Sequence, residues 1–353
     1  MSRVWEVPVH DSTRVRDARI AAREACAQAG LAPVRTADAE LVATELATNL
    51  LKHAGGGLMV VNLVVPPTGG AGTSVQLCSL DHGPGITDVG AALRDGWSTA
   101  AGSLGAGLGS CLRSANSFHL YSLPGRGTVA TARIDREPGR RGGSAAPVPA
   151  GGITVALAQA EQCGDAWTWA RSGSLLTVLL ADGLGHGAKA AHASGAAVEE
   201  LRRAAHLPPG ELLRRLHGVL RPTRGAAVTV AQVDEERAEL SFAGVGNVGA
   251  RMRTGDSWTS LVSHPGIVGA YFPAHVPVRR VPWRGDSLLV LHSDGLPSRW
   301  RPPEDPLLLA HDPSVVAAAI LRDAGSPARP VRDDTSVAVL APDRRTSAHD
   351  SRL

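Results

Sequence analysis

Three side chains that can bind or transfer charged groups share one predicted helix in the first half of the sequence. Glu45, Asn49 and Lys52 are spaced four and three residues apart, which places a carboxylate, an amide and an ammonium on one helical face. Apolar residues occupy the adjoining stripe. An ordinary amphipathic helix with a solvated polar face has the same pattern, so this helix alone leaves both interpretations open.

Two glycine-rich segments follow that helix. The run D-H-G-P-G at residues 81–85 comes directly after a predicted strand, so Asp81 stands at a strand end beside glycines that admit close approach to the backbone. A tight turn explains this run equally well. Residues 102–109, G-S-L-G-A-G-L-G, precede a predicted helix whose first N–H groups can bind phosphate. Either glycine motif by itself is weak evidence for a nucleotide-binding site.

The order of these three segments resembles the GHKL ATPase superfamily, and within it the bacterial anti-sigma-factor and stress-switch kinases. The resemblance covers residues 1–135 and implies a Bergerat-type α/β sandwich that binds ATP and Mg²⁺. Glu45 would be the base or water-orienting carboxylate, Asn49 would hold the Mg²⁺ that bridges the phosphates, and Lys52 would face the phosphates. Asp81 would accept a hydrogen bond from the adenine amino group. The glycines of the pocket and its lid would be Gly83, Gly85, Gly105, Gly107 and Gly109.

In the second half, four aspartates stand at the edges of apolar predicted strands: Asp165, Asp182, Asp294 and Asp333. A single Asp-Gly pair is a common turn, and each aspartate taken alone has that explanation. If the four converge in the fold, their charges repel one another unless a cation neutralises them. Oxygen ligands of this kind suit Mn²⁺ or Mg²⁺, and two such ions can activate a water for attack on a phosphoryl group. The pattern is typical of a phosphomonoesterase.

The segments A-D-G-L-G-H-G-A-K-A-A, F-A-G-V-G-N and R-D-D-T-S-V-A-V-L resemble, in this order, the SpoIIE-like branch of the PPM-type Ser/Thr phosphatases over residues 151–342. The resemblance implies a four-layer α/β/β/α sandwich and two Mn²⁺ or Mg²⁺ ions. Asp182 would bridge both ions and so be essential to catalysis. The carbonyl of Gly183 would bind one ion, and Asp294 with Asp333 would complete the other.

Three neighbouring residues complete the predicted site. Asp165 would reach a metal ion directly or through water, and Cys163 stands near it where this branch usually has glycine. Asp334 is predicted to support its neighbour Asp333 rather than to bind metal. His186 fits a general acid and a solvent-facing loop residue equally well.

The length of 353 residues favours two domains, each with its own core. Glycines, prolines and arginines without hydrophobic period mark a linker at 136–151, between a first domain at 1–135 and a second at 152–342, and a polar tail follows at 343–353. The fold class is α+β. In the first domain the patterns predict strands at 4–9, 58–65 and 74–80, and helices at 13–30 and from a cap at Thr36 to the glycines at 55–57. In the second they predict strands at 153–159, 167–171, 175–181, 226–233, 238–245, 287–291 and 335–340, and helices at 188–205, 210–220 and 313–324.

Composition excludes several classes of protein. The net charge of +3 gives no reason to expect nucleic acid binding, and the apolar runs are too short to span a membrane. The four cysteines form no C-x-x-C pair, which argues against a zinc site or a disulfide framework and favours a cytoplasmic location.

The leading hypothesis is a bifunctional partner-switching regulator, a Ser/Thr kinase joined to a phosphoserine and phosphothreonine phosphatase. Its expected partner is a STAS-type anti-sigma antagonist or another stress-switch protein, with a sigma factor as a further candidate. The alternative is a module that uses ATP to sequester a sigma factor or switch partner, fused to an active phosphatase. A scaffold without either activity is a third hypothesis.

Overall fold

The computed structural model describes residues 3–65, 72–93, 107–138, 148–157, 160–325 and 333–342. Contacts between Cα atoms divide the chain into two compact units. The first unit is Val4–Ala146, and the second unit is Pro147–Leu353 together with Met1–Arg3. Among the described helices, none combines the length and the apolar character that crossing a lipid bilayer requires. The predicted tail lies outside the described residues.

The first unit is built from one antiparallel sheet and helices on one of its faces. Its described strands are β1 (Trp5–Val9), β2 (Gly57–Val64), β3 (Ser74–Leu80), β4 (Ser117–Leu123) and β5 (Gly127–Ile134). Its described helices are α1 (Ser12–Ala29), α2 (Pro33–Ala54), α3 (Val89–Ala92) and α4 (Gly107–Ser114). The strand order is β1-β2-β3-β5-β4, and α1 and α2 pack against each other and against the sheet. This arrangement is the predicted α/β sandwich.

The two long helices begin and end for identifiable reasons. Asp11 caps α1 by accepting a hydrogen bond from the N–H of Thr13, and Gly30 ends it in the left-handed conformation. The predicted cap of α2 at Thr36 is wrong. Pro33 starts α2 in the first turn, where its fixed φ suits a helix and its missing N–H costs nothing. Thr36 instead lies inside the helix and donates its hydroxyl to the carbonyl of Ala32.

The second unit stacks two five-stranded antiparallel sheets among its described residues. One sheet has the order β13-β10-β9-β8-β7 and the other β12-β11-β14-β15-β6. The strands are β6 (Ala150–Val155), β7 (Asp165–Ser172), β8 (Leu175–Gly183), β9 (Ala226–Asp234), β10 (Glu239–Val245), β11 (Gly249–Thr254), β12 (Ser257–Leu261), β13 (Arg279–Pro282), β14 (Leu288–His292) and β15 (Thr335–Leu340). The helices are α5 (Ala188–Ala204), α6 (Pro209–Leu220), α7 (Pro306–Leu309) and α8 (Pro313–Ala324).

Helices cover the outer faces of both sheets of this unit. Helix α5 packs on β7 and β8, α6 packs on β9 and β10, and α8 packs on β6 and β15, while β6 and β15 also contact β7 of the other sheet. The layer order is therefore α/β/β/α, as predicted. Many of the buried helical residues are alanines, which lets helices and sheets approach closely.

Strand β6 corrects the sequence prediction, because it begins at Ala150 rather than at residue 153 and so includes the end of the predicted linker. Gly151 and Gly152 read as chain breakers in the sequence, but both are buried inside the strand. A Cβ on Gly151 would lie 2.4 Å from the N atom of Ser314, and one on Gly152 would lie 2.6 Å from Cε2 of Trp167. These glycines therefore permit close packing within the strand.

Candidate nucleotide and metal sites

A cavity of about 490 Å³ in the first unit collects most of the predicted nucleotide-binding residues. It lies between α2, the end of β3 and the start of α4. Its polar wall includes Glu45, Asn49, Lys52 and Asp81. Apolar side chains, among them Leu46, Leu50, Ile86, Leu108 and Leu120, line the remainder. The cavity thus combines an apolar surface for a flat ring with acidic, amide and ammonium groups at one side.

Helix α2 positions the three polar groups of this cavity. Val42, Leu46 and Leu50 are buried against the core of the first unit and fix the rotation of the helix. Glu45 and Asn49 are half-buried as a result, whereas Lys52 is exposed. A carboxylate and an amide therefore stand one helical turn apart on the cavity wall.

Asp81 is buried just after β3 and is held by the backbone around it. Its Oδ1 atom accepts hydrogen bonds from the N–H of Gly83 at 2.8 Å and from the N–H of Thr128 at 3.0 Å. The N–H of Asp81 itself donates to the carbonyl of Thr128. The carboxylate consequently keeps one orientation at the cavity wall, which a recognition role requires.

Close backbone approach explains the glycines of this region. Gly85 has a φ of +74°, and a Cβ there would lie 2.1 Å from the carbonyl oxygen of Leu123. A Cβ on Gly83 would lie 2.7 Å from Cα of Ala54 at the end of α2. Both predicted pocket glycines are therefore required sterically by the turn that follows Asp81.

The predicted lid glycines have different positions. Gly105 lies outside the described residues. Gly107 is the first residue of α4, and a Cβ there would lie 2.5 Å from Oε2 of Glu45. Gly109 is buried inside the same helix. Gly107 thus lets the start of α4 come close to the carboxylate of Glu45.

In the second unit, Asp165 and Asp182 are direct cross-strand partners. The hairpin of β7 and β8 places their Cα atoms opposite each other, and Asp165 is completely buried. Like charges directly opposite each other destabilise an antiparallel pair. Burial, and then the neighbouring Asp182 carboxylate, raise the pKa of Asp165 well above its usual range.

The remaining aspartates lie close enough to Asp182 to affect its pKa. Burial raises the pKa of Asp182 to about 7, and the nearby carboxylates of Asp294, Asp333 and Asp334 add to this effect. Burial also raises the pKa of Asp294, together with the charge of Asp333. The fold therefore brings the four predicted aspartates into one electrostatic cluster at the ends of β7, β8, β14 and β15.

Two members of the cluster are held in place by neighbours. Asp334 accepts hydrogen bonds from the N–H of Leu157 at 2.7 Å and from the N–H of Gly164 at 2.6 Å, which ties two chain segments together. Its own N–H donates to the carboxylate of Asp333 at 2.8 Å. The amide of Asn247 donates to the carboxylate of Asp294. Asp334 is thus engaged by backbone groups and orients Asp333.

The loop after Asp182 also needs small residues. Gly183 is buried, and a Cβ there would lie 2.1 Å from the carbonyl oxygen of Ala190 in the first turn of α5. Its N–H donates to the carbonyl of Gly164. His186 is exposed in this loop, so its environment favours neither of its two predicted roles.

The donor set of this cluster fits a divalent cation. Carboxylates of raised pKa from both stacked sheets, with the carbonyl of Gly183 next to Asp182 in the chain, are hard oxygen ligands for Mg²⁺ or Mn²⁺. Among the described residues, no three acidic, histidine or cysteine side chains are already arranged as a closed metal cluster. Binding would therefore require these side chains to close around the ions.

Comparison with protein families matches each unit to one family. The histidine kinase-like ATPase domain matches residues 9–133, and stage II sporulation protein E (SpoIIE) matches residues 172–343. The second match includes Asp182, Asp294 and Asp333 but begins after Asp165. The serine/threonine-protein kinase RsbT of Bacillus subtilis (strain 168) is 35% identical over 111 residues, which are 31% of this chain and 80% of that kinase.

The chain belongs to the RsbT family of proteins with a histidine kinase-like ATPase domain, and its second unit is a SpoIIE-type PPM phosphatase domain. It is accordingly a protein serine/threonine phosphatase that also carries a kinase-like ATPase domain. Two solved structures are also similar. The PP2C phosphatase domain with part of the regulatory domain of B. subtilis SpoIIE has 15% identity and a TM-score of 0.47, covering 76% of this chain and 79% of its own. The RsbU and RsbW domains of Rv1364c from Mycobacterium tuberculosis have 20% identity and a TM-score of 0.46, covering 55% and 61%.

Sequence reasoning missed several residues that hold the sites in place. Gly127 has a φ of +86°, and a Cβ there would lie 2.1 Å from the carbonyl oxygen of Asp81. The run P-G-R-G-T at residues 124–128 is the sequence signal that indicates this turn. Ser293 and Ser336 are both buried near Asp165, and their hydroxyl groups partly offset the rise of its pKa. Ser336 lies in the segment R-D-D-T-S-V-A-V-L and Ser293 directly precedes Asp294, but only the aspartates were predicted as site residues.

Proposed function

We propose that this chain is a partner-switching regulator with two opposed activities. The first unit transfers the γ-phosphoryl group of ATP to a serine or threonine of a small STAS-type antagonist protein. The second unit removes phosphate from phosphoserine or phosphothreonine. The observation that carries this proposal is that each unit has its own site of distinct chemistry: a cavity of about 490 Å³ beside Glu45 in one, and a cluster of aspartates in the other.

In the first site, each polar group has a separate task. The Asp81 carboxylate, oriented by two backbone N–H groups, would accept the adenine amino group. Asn49 would hold the Mg²⁺ that bridges the phosphates, and Lys52 would neutralise part of their charge. Glu45 would accept the proton of the attacking hydroxyl. Phosphoryl transfer depends mainly on such positioning and charge neutralisation, which a rigid helix supplies.

In the second site, Asp182, the carbonyl of Gly183, Asp294 and Asp333 would hold two Mn²⁺ or Mg²⁺ ions, and Asp165 would reach a metal ion directly or through water. When bound, the ions supply an activated water and neutralise the phosphoryl oxygens. Asp334 orients Asp333 through the backbone, and Asn247 orients Asp294. The second unit thus gathers carboxylates where the cations would bind. Asp334 and Asn247 fix the orientation of two of these carboxylates.

Joining both sites in one chain raises the local concentration of each activity on a shared partner. The similarity to RsbT, which is named a serine/threonine-protein kinase, supports the kinase half of the proposal. All four cysteines are buried thiols, which agrees with a reducing compartment, and we propose the cytoplasm as the location. A sigma factor remains the second candidate partner.

The test uses the full chain, γ-labelled ATP, Mg²⁺ with Mn²⁺, and a panel of purified STAS-type proteins. Label transferred to a panel protein by the wild type, absent with Glu45→Gln and retained longer with Asp182→Asn, is the expected result. ATP binding without transfer by the wild type, together with intact phosphatase activity, would replace the kinase with the ATP-dependent sequestering module. Equal behaviour of the wild type and both variants would reject the two-activity proposal.

A further inference from the structure

Arg224 lies beside the loop that follows Asp182. A Cβ built on Gly185 would lie 3.0 Å from Nη1 of Arg224, so the guanidinium group is positioned against this loop. The adjacent backbone is joined to the same loop, because the N–H of Leu184 donates to the carbonyl of Gly225 at 3.0 Å. Arg224 is therefore held next to the segment that carries Asp182 and Gly183.

The backbone that carries Arg224 is also fixed from its other side. Ala226 exchanges two hydrogen bonds with Val268, at 3.0 and 2.9 Å. Gly225 has a φ of +82°, and a Cβ there would lie 2.8 Å from Cγ2 of Ile267. The backbone next to Arg224 is consequently held in place beside the loop.

The charge of Arg224 is not neutralised by any side chain in the part of the chain that the structure describes. The side chain is exposed, and it forms no ion pair with any carboxylate of the described residues. Arg171, by contrast, forms an ion pair with Glu235. A guanidinium left unpaired beside a carboxylate-rich site offers two parallel N–H donors to an incoming anion.

We propose that Arg224 binds the phosphoryl group of the phosphoserine or phosphothreonine substrate at the entrance to the aspartate cluster. The assignment rests on the proposed phosphatase activity and adds to it a residue outside the metal-binding set. Arginine suits this task because its planar fork matches two phosphoryl oxygens, which a lysine ammonium cannot do. A purely structural role would be to pack against Gly185 and hold the loop in shape.

Hydrolysis of p-nitrophenyl phosphate by the full chain with Mn²⁺, with inorganic phosphate as competitive inhibitor, separates these roles. Arg224→Ala is expected to raise both the KM of the substrate and the Ki of phosphate roughly tenfold. Arg224→Lys should recover part of each loss, since it restores the charge without the fork. Arg221→Ala, which removes an exposed arginine at the end of α6, is the matched control and should change neither constant.

Calorimetric titration of Mn²⁺ completes the test, because a structural role would also disturb the metal site. Unchanged Mn²⁺ affinity in Arg224→Ala, alongside the raised KM and Ki, supports the assignment. Wild-type KM and Ki in Arg224→Ala, or a fall in Mn²⁺ affinity that matches the fall in activity, would overturn it while leaving the phosphatase activity in place. A wild type that binds Mn²⁺ but hydrolyses nothing would overturn the proposed phosphatase function itself.

Discussion

The two sites of this protein are built in opposite ways. The cavity of the first unit takes its acidic, amide and ammonium groups from a single helix, α2, and adds one aspartate after β3. The aspartate cluster of the second unit draws its members from four strands that are distant in sequence. The first site is a pocket that exists before any ligand binds, whereas the second accumulates charge that the protein alone does not balance.

This difference is visible in the surroundings of the two buried carboxylates, Asp182 and Asp81. Burial and neighbouring carboxylates raise the pKa of Asp182 to about 7. Asp81, although buried in the first unit, instead receives two backbone N–H groups on one carboxylate oxygen. A carboxylate satisfied by the backbone is ready to recognise a neutral amino group. A carboxylate surrounded by others is ready for a cation.

The largest expected effect is on the second site. Asp182→Asn should lower phosphatase activity by roughly a thousandfold or more, because it removes the carboxylate on which the cluster converges. Steady-state hydrolysis of a phosphoserine peptide with Mn²⁺ measures this. Asp256→Asn changes an exposed aspartate in the turn between β11 and β12 and should leave the rate unaltered. An Asp182→Asn variant with near wild-type rate would remove the cluster from the mechanism.

Next in size is the effect of Glu45→Gln on the first site. Phosphoryl transfer should fall by about a hundredfold, which is the scale of a lost general base, while ATP affinity stays within a factor of about two. Single-turnover transfer and calorimetric ATP titration measure the two quantities. Glu40→Gln, on the same helix, breaks an exposed ion pair with Arg23 and serves as the control. Loss of ATP affinity in Glu45→Gln alone would indicate a binding role instead.

A pair of glycines tests whether the first site is a rigid preformed pocket. Gly85 and Gly125 have φ values of +74° and +77°, but only at Gly85 would a Cβ meet the backbone, while Gly125 has nothing within 4 Å. Gly125→Ala should cost about 1 kcal/mol of stability from its φ alone. Gly85→Ala should cost about 2 kcal/mol more and weaken ATP binding. Urea unfolding that gave equal losses for both variants would contradict the close packing after Asp81.

The smallest expected effect concerns the charge of the second site without metal. Because the folded-state pKa of Asp182 is raised to about 7 from its ordinary 3.8, metal-free stability should decline as pH rises between these values. At pH 8 in EDTA, Asp182→Asn should therefore raise the melting temperature by about 2 °C or more. Calorimetry with and without Mn²⁺ measures it. A lower melting temperature for Asp182→Asn in EDTA would show that no repulsion is relieved.

The local features of both sites could be predicted from the sequence. Helical spacing alone placed Glu45, Asn49 and Lys52 on one face, and strands β3 and β15 ended where their apolar runs end. The opposition of Asp165 and Asp182 was only partly within reach. The strands predicted at 167–171 and 175–181 form one hairpin, but the observed register, with Ser172 opposite Leu175, is what sets Asp165 opposite Asp182.

Other features depend on tertiary structure that no local pattern carries. Strands β11, β12 and β13 were not predicted, because their short, polar and partly exposed sequences alternate only weakly. The glycines of β6 read as a linker, since their role is to admit Ser314 and Trp167, which lie far away in sequence. Arg224 was not predicted as a site residue, because only the fold shows that it lies beside the loop that follows Asp182.

Crystals grown with Mn²⁺ and a non-hydrolysable ATP analogue test the central claim most directly, with anomalous diffraction at the manganese edge locating the ions. The account predicts two peaks within ligand distance of Asp182, reached also by Asp294 and Asp333, and a separate peak beside Asn49 next to the bound analogue. Absence of any peak at Asp182 under conditions that fill the Asn49 position would contradict a two-site enzyme.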